Sequence, residues 1–174
     1  VALVLAGYAH GYLDPYLVKD IYPERNDLSM KYVTEDNDKI YFKLSDYDDD
    51  YGTELWVSDG TESGTMLVKY YYPYPKSLDG LSDVTGYKGK IYFQAYDVMH
   101  GMELWVSNDT ASGTRIVKDI YPGVYGSSPS ELTEYNGKLY FRAVDESHSS
   151  ELWVSDGTAS GTTIVKDIRP GGGY

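Results

Sequence analysis

Glu151-Leu152-Trp153-Val154-Ser155-Asp156-Gly157-Thr158 decides the fold, because the chain writes it three times. It stands as Glu54-Leu55-Trp56-Val57-Ser58-Asp59-Gly60-Thr61 and, with two changes, as Glu103-Leu104-Trp105-Val106-Ser107-Asn108-Asp109-Thr110, at spacings of 49 and 48 residues. Every tryptophan of the chain, Trp56, Trp105 and Trp153, occupies this one position. Self-similarity at such a period marks an architecture of stacked units, each unable to bury its apolar face alone.

Outward from this stretch, a second landmark occurs four times: Leu17-Val18-Lys19-Asp20, Leu67-Val68-Lys69-Tyr70, Ile116-Val117-Lys118-Asp119 and Ile164-Val165-Lys166-Asp167. In the cleanest unit, Glu131 to Tyr135 leads into Asn136-Gly137, and Lys138 to Ala143 then alternates as a half-buried strand does. Asn-Gly between two such runs predicts a hairpin with both central residues at positive φ. Glu151 to Ser155 is the third strand. Asp156 caps backbone amides in a turn whose glycines, Gly157 among them, supply positive φ, and Thr163 to Ile168 is the fourth strand. Asp59 and Gly60 hold the corresponding turn of the first unit. The expected fold is all-β: a β-propeller-like repeat of four-stranded antiparallel blades, with the tryptophan filling the space between blades. The expected divisions are residues 1–24, an N-terminal strand and partial repeat, then repeats over 25–73, 74–122 and 123–174. Three units are too few for a closed ring, since propellers use about four to eight.

With this motif over residues 17 to 170, the chain resembles the bacterial ELWxxDGT-repeat proteins. The resemblance implies large secreted or surface-attached propeller-type repeat proteins, an extracellular or cell-surface address, and no catalysis assigned to the repeat. The sequence departs from the pattern at Asn108-Asp109, at Asp38 in place of the turn glycine, and at Ser149 where Gly52 and Gly101 stand in the other units.

The 174 residues carry 15 Lys+Arg against 27 Asp+Glu, a net charge of −12, with no cysteine and 20 tyrosines. The acidic balance disfavours nucleic acid and anionic membrane surfaces, and no apolar run is long enough to span a bilayer. Without cysteine there are no disulfides, thiolate nucleophiles or cysteine-held zinc. Val1 to Gly7 is apolar but lacks the basic flank of a signal peptide; it reads as a strand, the alternative being the remnant of a processed leader. It has no evident counterpart in the repeat. The end at Pro170 to Tyr174 reads as an interrupted array.

Asp46, Asp48 and Asp50 have the alternating spacing of hard oxygen ligands, so calcium is the one cofactor the chain admits; no other is implied. The preferred reading is nevertheless an Asx-turn before each tryptophan strand, because the twelfth position of a calcium loop falls on Val57. His100 and His148 share a repeat position and read as loop caps. Asn108 with Thr110 is the single N-glycosylation sequon, and Thr110 also suits O-glycosylation. Tyr70, Tyr71, Tyr72 and Tyr74, with Val1, Leu3 and Leu5, are the expected interface residues: tyrosine gives large contact area at low entropic cost, and an apolar strand can be donated to a neighbour's sheet.

No nucleophile, zinc or phosphate-loop motif is present, and acids that recur at equivalent positions argue for structure over an active site. The expected function is non-enzymatic: copies of the chain associate through sheet edges and a donated N-terminal strand into a filament or surface layer. The alternative is a lectin-like propeller that binds glycans, with or without calcium.

Overall fold

The computed structural model describes residues 2–9, 12–24, 28–46, 52–71 and 80–170, and among them there is no helix. Fourteen strands make one two-stranded and three four-stranded antiparallel sheets. The pair is β1 (Ala2–Ala9) with β2 (Tyr12–Asp20). Unit 1 holds β3 (Leu28–Asp36), β4 (Lys39–Asp46), β5 (Thr53–Ser58) and β6 (Met66–Tyr71). Unit 2 holds β7 (Leu81–Tyr87), β8 (Lys90–Asp97), β9 (Gly101–Ser107) and β10 (Arg115–Lys118). Unit 3 holds β11 (Ser130–Tyr135), β12 (Lys138–Ala143), β13 (Glu151–Ser155) and β14 (Thr163–Lys166). Within each unit the strands pair in chain order.

Each first hairpin closes through two residues at positive φ: Asn37-Asp38 at 49° and 59°, Lys88-Gly89 at 51° and 68°, and Asn136-Gly137 at 50° and 72°. Asp38 thus does the work of a glycine, which the short polar side chains of Asn and Asp tolerate. The fourth strand of unit 3 ends at Lys166, short of the expected Ile168. There the Glu151 carboxylate accepts the amides of Ile168 and Arg169 at 3.2 and 3.0 Å, drawing the backbone out of the ladder.

The core lies between sheets. Tyr41, Leu55, Val57, Val68 and Tyr71 of unit 1 pack with Leu81, Ile91, Phe93, Ala95 and Trp105 of unit 2. Leu104, Val106, Val117 and Ile120 of unit 2 pack in the same way with Leu139, Phe141, Ala143 and Trp153 of unit 3. A third cluster sets Val18 of β2 on Phe42, Leu44 and Trp56. Period-2 alternation explains this arrangement: Glu-Leu-Trp-Val sends tryptophan to the preceding unit and leucine to the following one. The tryptophans are 8, 6 and 4% exposed.

The expectation that Val1 to Gly7 has no counterpart and is donated to another copy meets a different arrangement. In its own chain β1 pairs Leu3 with Lys19 and Val4 with Leu17, with a bulge between them. The third strand of unit 1 pairs Leu55 with Lys69 and Trp56 with Leu67, with the same bulge. Leu3, Val4 and Leu5 therefore hold the register positions of Leu55, Trp56 and Val57, and β1 and β2 are the third and fourth strands of a unit. Ladder pairs from Ala6–Pro15 to Ala9–Tyr12 replace the polar turn, which is why the motif is absent there.

Candidate functional site

The repeated turn is a closed hydrogen-bond circuit. Ser58 and Thr65, Ser107 and Thr114, and Ser155 and Thr162 place their hydroxyl oxygens 2.7 Å apart, buried in every case. Each threonine donates its one hydroxyl proton to the carbonyl of Thr61, Thr110 or Thr158, at 2.7, 2.6 and 2.7 Å. The serine must therefore be the donor within each pair, while accepting the amide of Gly60, Asp109 or Gly157. Asp59 and Asp156 each accept the amide and hydroxyl of the threonine two residues on, as the capping role requires. These bonds hold both carboxyls below their ordinary range.

Gly60 and Gly157 have φ of 86° and 94°, as a turn glycine should. The second glycine serves another purpose. A Cβ on Gly64, Gly113 or Gly161 would lie 2.0, 1.6 or 2.1 Å from the side-chain oxygen of Asp59, Asn108 or Asp156. In unit 2 Asp109 stands where the others have glycine, at φ 70°, and its carboxylate meets Lys39 of unit 1 at 2.7 Å. The departure from the motif thus exchanges backbone ease for a bond between units.

The lysine of the second landmark, given no role by sequence reasoning, ties each unit to the next. Lys19, Lys69 and Lys118 donate to the carbonyls of Thr65, Thr114 and Thr162 at 2.9, 3.5 and 2.8 Å. Lys69 and Lys118 also stand 4.4 and 5.7 Å from the ring centroids of Trp105 and Trp153. Its fourfold recurrence inside an otherwise apolar strand was the available signal. The motif glutamates act beside the tryptophans. Glu54 accepts the Tyr22 hydroxyl at 2.7 Å and the Trp56 indole at 2.8 Å. Glu103 accepts the amides of Tyr121 and Ser127 and the Ser127 hydroxyl at 2.9, 3.0 and 2.6 Å. Burial outweighs those bonds and pushes the Glu103 carboxyl up to about 7.

Among the described residues, the positions that are covered in units 1 and 2 are exposed in unit 3. Leu55 and Leu104 are 0% exposed and Val68 and Val117 are 3% exposed, whereas Leu152 and Val165, at the same positions, are 42 and 48% exposed. Tyr71 and Ile120 are 3 and 6% exposed; Ile168 is 64%. Lys166, the counterpart of the tying lysines, is exposed as well. This face of unit 3 is an apolar surface of the type covered at both preceding junctions.

The expected sites fall out unevenly. Asp97 accepts the amides of Met99 and His100, and Asp145 those of Ser147 and His148, making the Asx-turns foreseen before the tryptophan strands. Each histidine returns its Nδ1 to the same carboxylate at 2.8 to 2.9 Å. Asp46 closes β4, while Asp48 and Asp50 lie outside the described residues; among those described, no three acidic or histidine side chains converge as a metal site would need. Tyr70 is 44% exposed, but Tyr71 is no outer contact: it is buried edge-on against Trp105, with ring centroids 5.6 Å apart. Its position on the inward side of β6 decides this. Val1, Tyr72 and Tyr74 lie outside the described residues, and Leu3 and Leu5 are in β1. Asn108 and Thr110 are exposed and bonded to each other at 2.7 Å within the turn. Among the described residues no helix is long and apolar enough to cross a membrane. No family model matches the chain, and no curated protein matches it.

Proposed function

We propose that the protein is an extracellular structural repeat protein whose work is assembly, its units stacking as propeller blades do and its copies associating into a filament or surface layer. One observation carries this reading: junctions of one design, a lysine of one unit on a threonine carbonyl of the next, recur along the chain. The blade-like stacking is supported by the first strands, since β7 lies beside both β3 and β11. The extracellular address rests on the resemblance to ELWxxDGT-repeat proteins. A non-enzymatic role is supported by the motif glutamates, each engaged in structural hydrogen bonds.

Negative-stain electron microscopy of the native material, with and without a calcium chelator, tests the reading. Regular filaments or sheets are expected. Isolated small particles at every concentration would overturn it and turn attention to glycan binding; filaments that vanish on chelation would add calcium to the assembly.

A further inference from the structure

We infer that Asn108 is an N-glycosylation site: its carboxamide nitrogen takes an oligosaccharide from a lipid-pyrophosphate donor, and the turn of unit 2 presents it for that transfer. The inference rests on the extracellular address in the reading above, since such donors serve exported chains.

The turns of the three units share one construction. Asp59, Asn108 and Asp156 each accept, through Oδ1, the hydroxyl proton of the threonine two residues on, at 2.7 Å. That bond needs only an oxygen, which the carboxylates of units 1 and 3 supply as well as a carboxamide does. What asparagine adds is its NH2 group, and among the described residues the turn gives that group no partner. Asn108, Thr110, Ala111 and Ser112 are exposed, while Ser107 and Thr114, which close the turn beneath them, are buried. An exposed acceptor thus stands on a fixed backbone.

The same bonds decide which of the two candidate acceptors is free. The Thr110 hydroxyl is engaged on both sides: it donates its proton to Asn108 and accepts the amide of Gly113 at 3.0 Å. A sugar on that oxygen would remove the proton that holds Asn108 and so undo the turn. A sugar on Nδ2 leaves Oδ1 and its bond in place. The carboxylate between them, Asp109, is held by Lys39 of unit 1 at 2.7 Å. A hydrogen bond at Oδ1 also polarises the carboxamide and makes its N–H protons more acidic, the direction that transfer requires. In the transfer Nδ2 bonds the anomeric carbon, the bond from that carbon to the pyrophosphate oxygen breaks with its electron pair, the lipid pyrophosphate leaves, and Nδ2 gives up a proton.

Peptide mapping of the native protein by mass spectrometry tests the site. The peptide containing Asn108 should carry a glycan, and fragment ions should locate it on that residue. Variants produced in the same cells separate the turn from the sequon. Asn108→Asp restores the residue of units 1 and 3, so the thermal midpoint should be kept while the glycan is lost; Thr110→Ala should lose it too. Asp156→Asn gives the unit 3 turn the same sequon on the same hydrogen bonds and should add a second glycan there. An unmodified Asn108 in the native protein, a glycan on Thr110 instead, or one that survives Asn108→Asp would overturn the proposal. An Asp156→Asn chain that gains nothing would overturn the part assigned to the turn. Filaments built from unmodified chains would sink this site and leave the assembly reading standing; glycosylated chains that stay as isolated particles would do the reverse.

Discussion

Lys118 donates to the Thr162 carbonyl at 2.8 Å while its ammonium stands 5.7 Å from the centroid of the Trp153 ring, so one side chain of unit 2 holds both the turn and the tryptophan of unit 3. A charge-assisted bond in partly buried surroundings and a cation over an aromatic face both strengthen as water is excluded. Lys118→Met keeps the apolar stem and removes both interactions. Chemical denaturation should show a loss of about 1–3 kcal/mol. An unchanged midpoint would mean that the lysine only accompanies the junction.

The second glycine of the turn gives a sharper test. Gly161 lies where a Cβ would stand 2.1 Å from Asp156, whose carboxylate is committed to the amide and hydroxyl of Thr158. Gly161→Ala should therefore lower the thermal midpoint by the equivalent of about 1–3 kcal/mol. In the Asp156→Ala background the same substitution should do little further harm.

Glu103 supplies a pH dependence whose sign follows from its burial. Its carboxyl titrates near 7 in the fold, against an ordinary value of 4.5. The folded state thus holds the proton over a range where the unfolded chain has released it. The stability this provides is complete below about pH 4.5 and is lost as pH rises to 7 and beyond. Glu103→Gln can still accept the amides of Tyr121 and Ser127 and donate to the Ser127 hydroxyl. Its denaturation midpoint should fall less than that of the wild type as pH rises over this range, and parallel profiles would contradict the assignment.

The histidine loops respond in a different window. The bond to Asp97 raises the His100 ring above its ordinary value, burial opposing it only in part. For Asp97, burial works against ionisation, but the His100 ring and the amides of Met99 and His100 outweigh it and hold the carboxyl low. The pair is therefore complete between roughly pH 4 and 6.5; the histidine's contribution fades as pH rises through its raised value, the aspartate's as pH falls through its lowered one. Proton NMR should show His100 and His148 titrating above the ordinary histidine value, and Asp97→Asn should return His100 alone to it.

Strands and turns were legible in the sequence because the signals are local. Alternation over Lys138 to Ala143 and Asn-Gly at 136–137 specify a hairpin wherever they occur, and a lone tryptophan per unit needs a neighbour to bury it. What crosses from unit to unit was not legible. The same letters describe Val165 and Val117, exposed in one unit and covered in the other, so only the stacking shows which of them is buried. Tyr71 was misplaced for the same reason: composition marks a tyrosine cluster, whereas the side of β6 on which each ring falls decides whether it meets solvent or Trp105. Val1 to Gly7 reads as a strand, but its place as the third strand of a unit escaped notice because Val4 keeps the tryptophan's register and discards its identity.

The central claim of the proposed function is that copies of this chain associate, and sedimentation velocity of the full chain over a range of concentrations tests it most directly. A sedimentation coefficient that rises with concentration towards large regular species is expected; a single monomeric species at every concentration would contradict it.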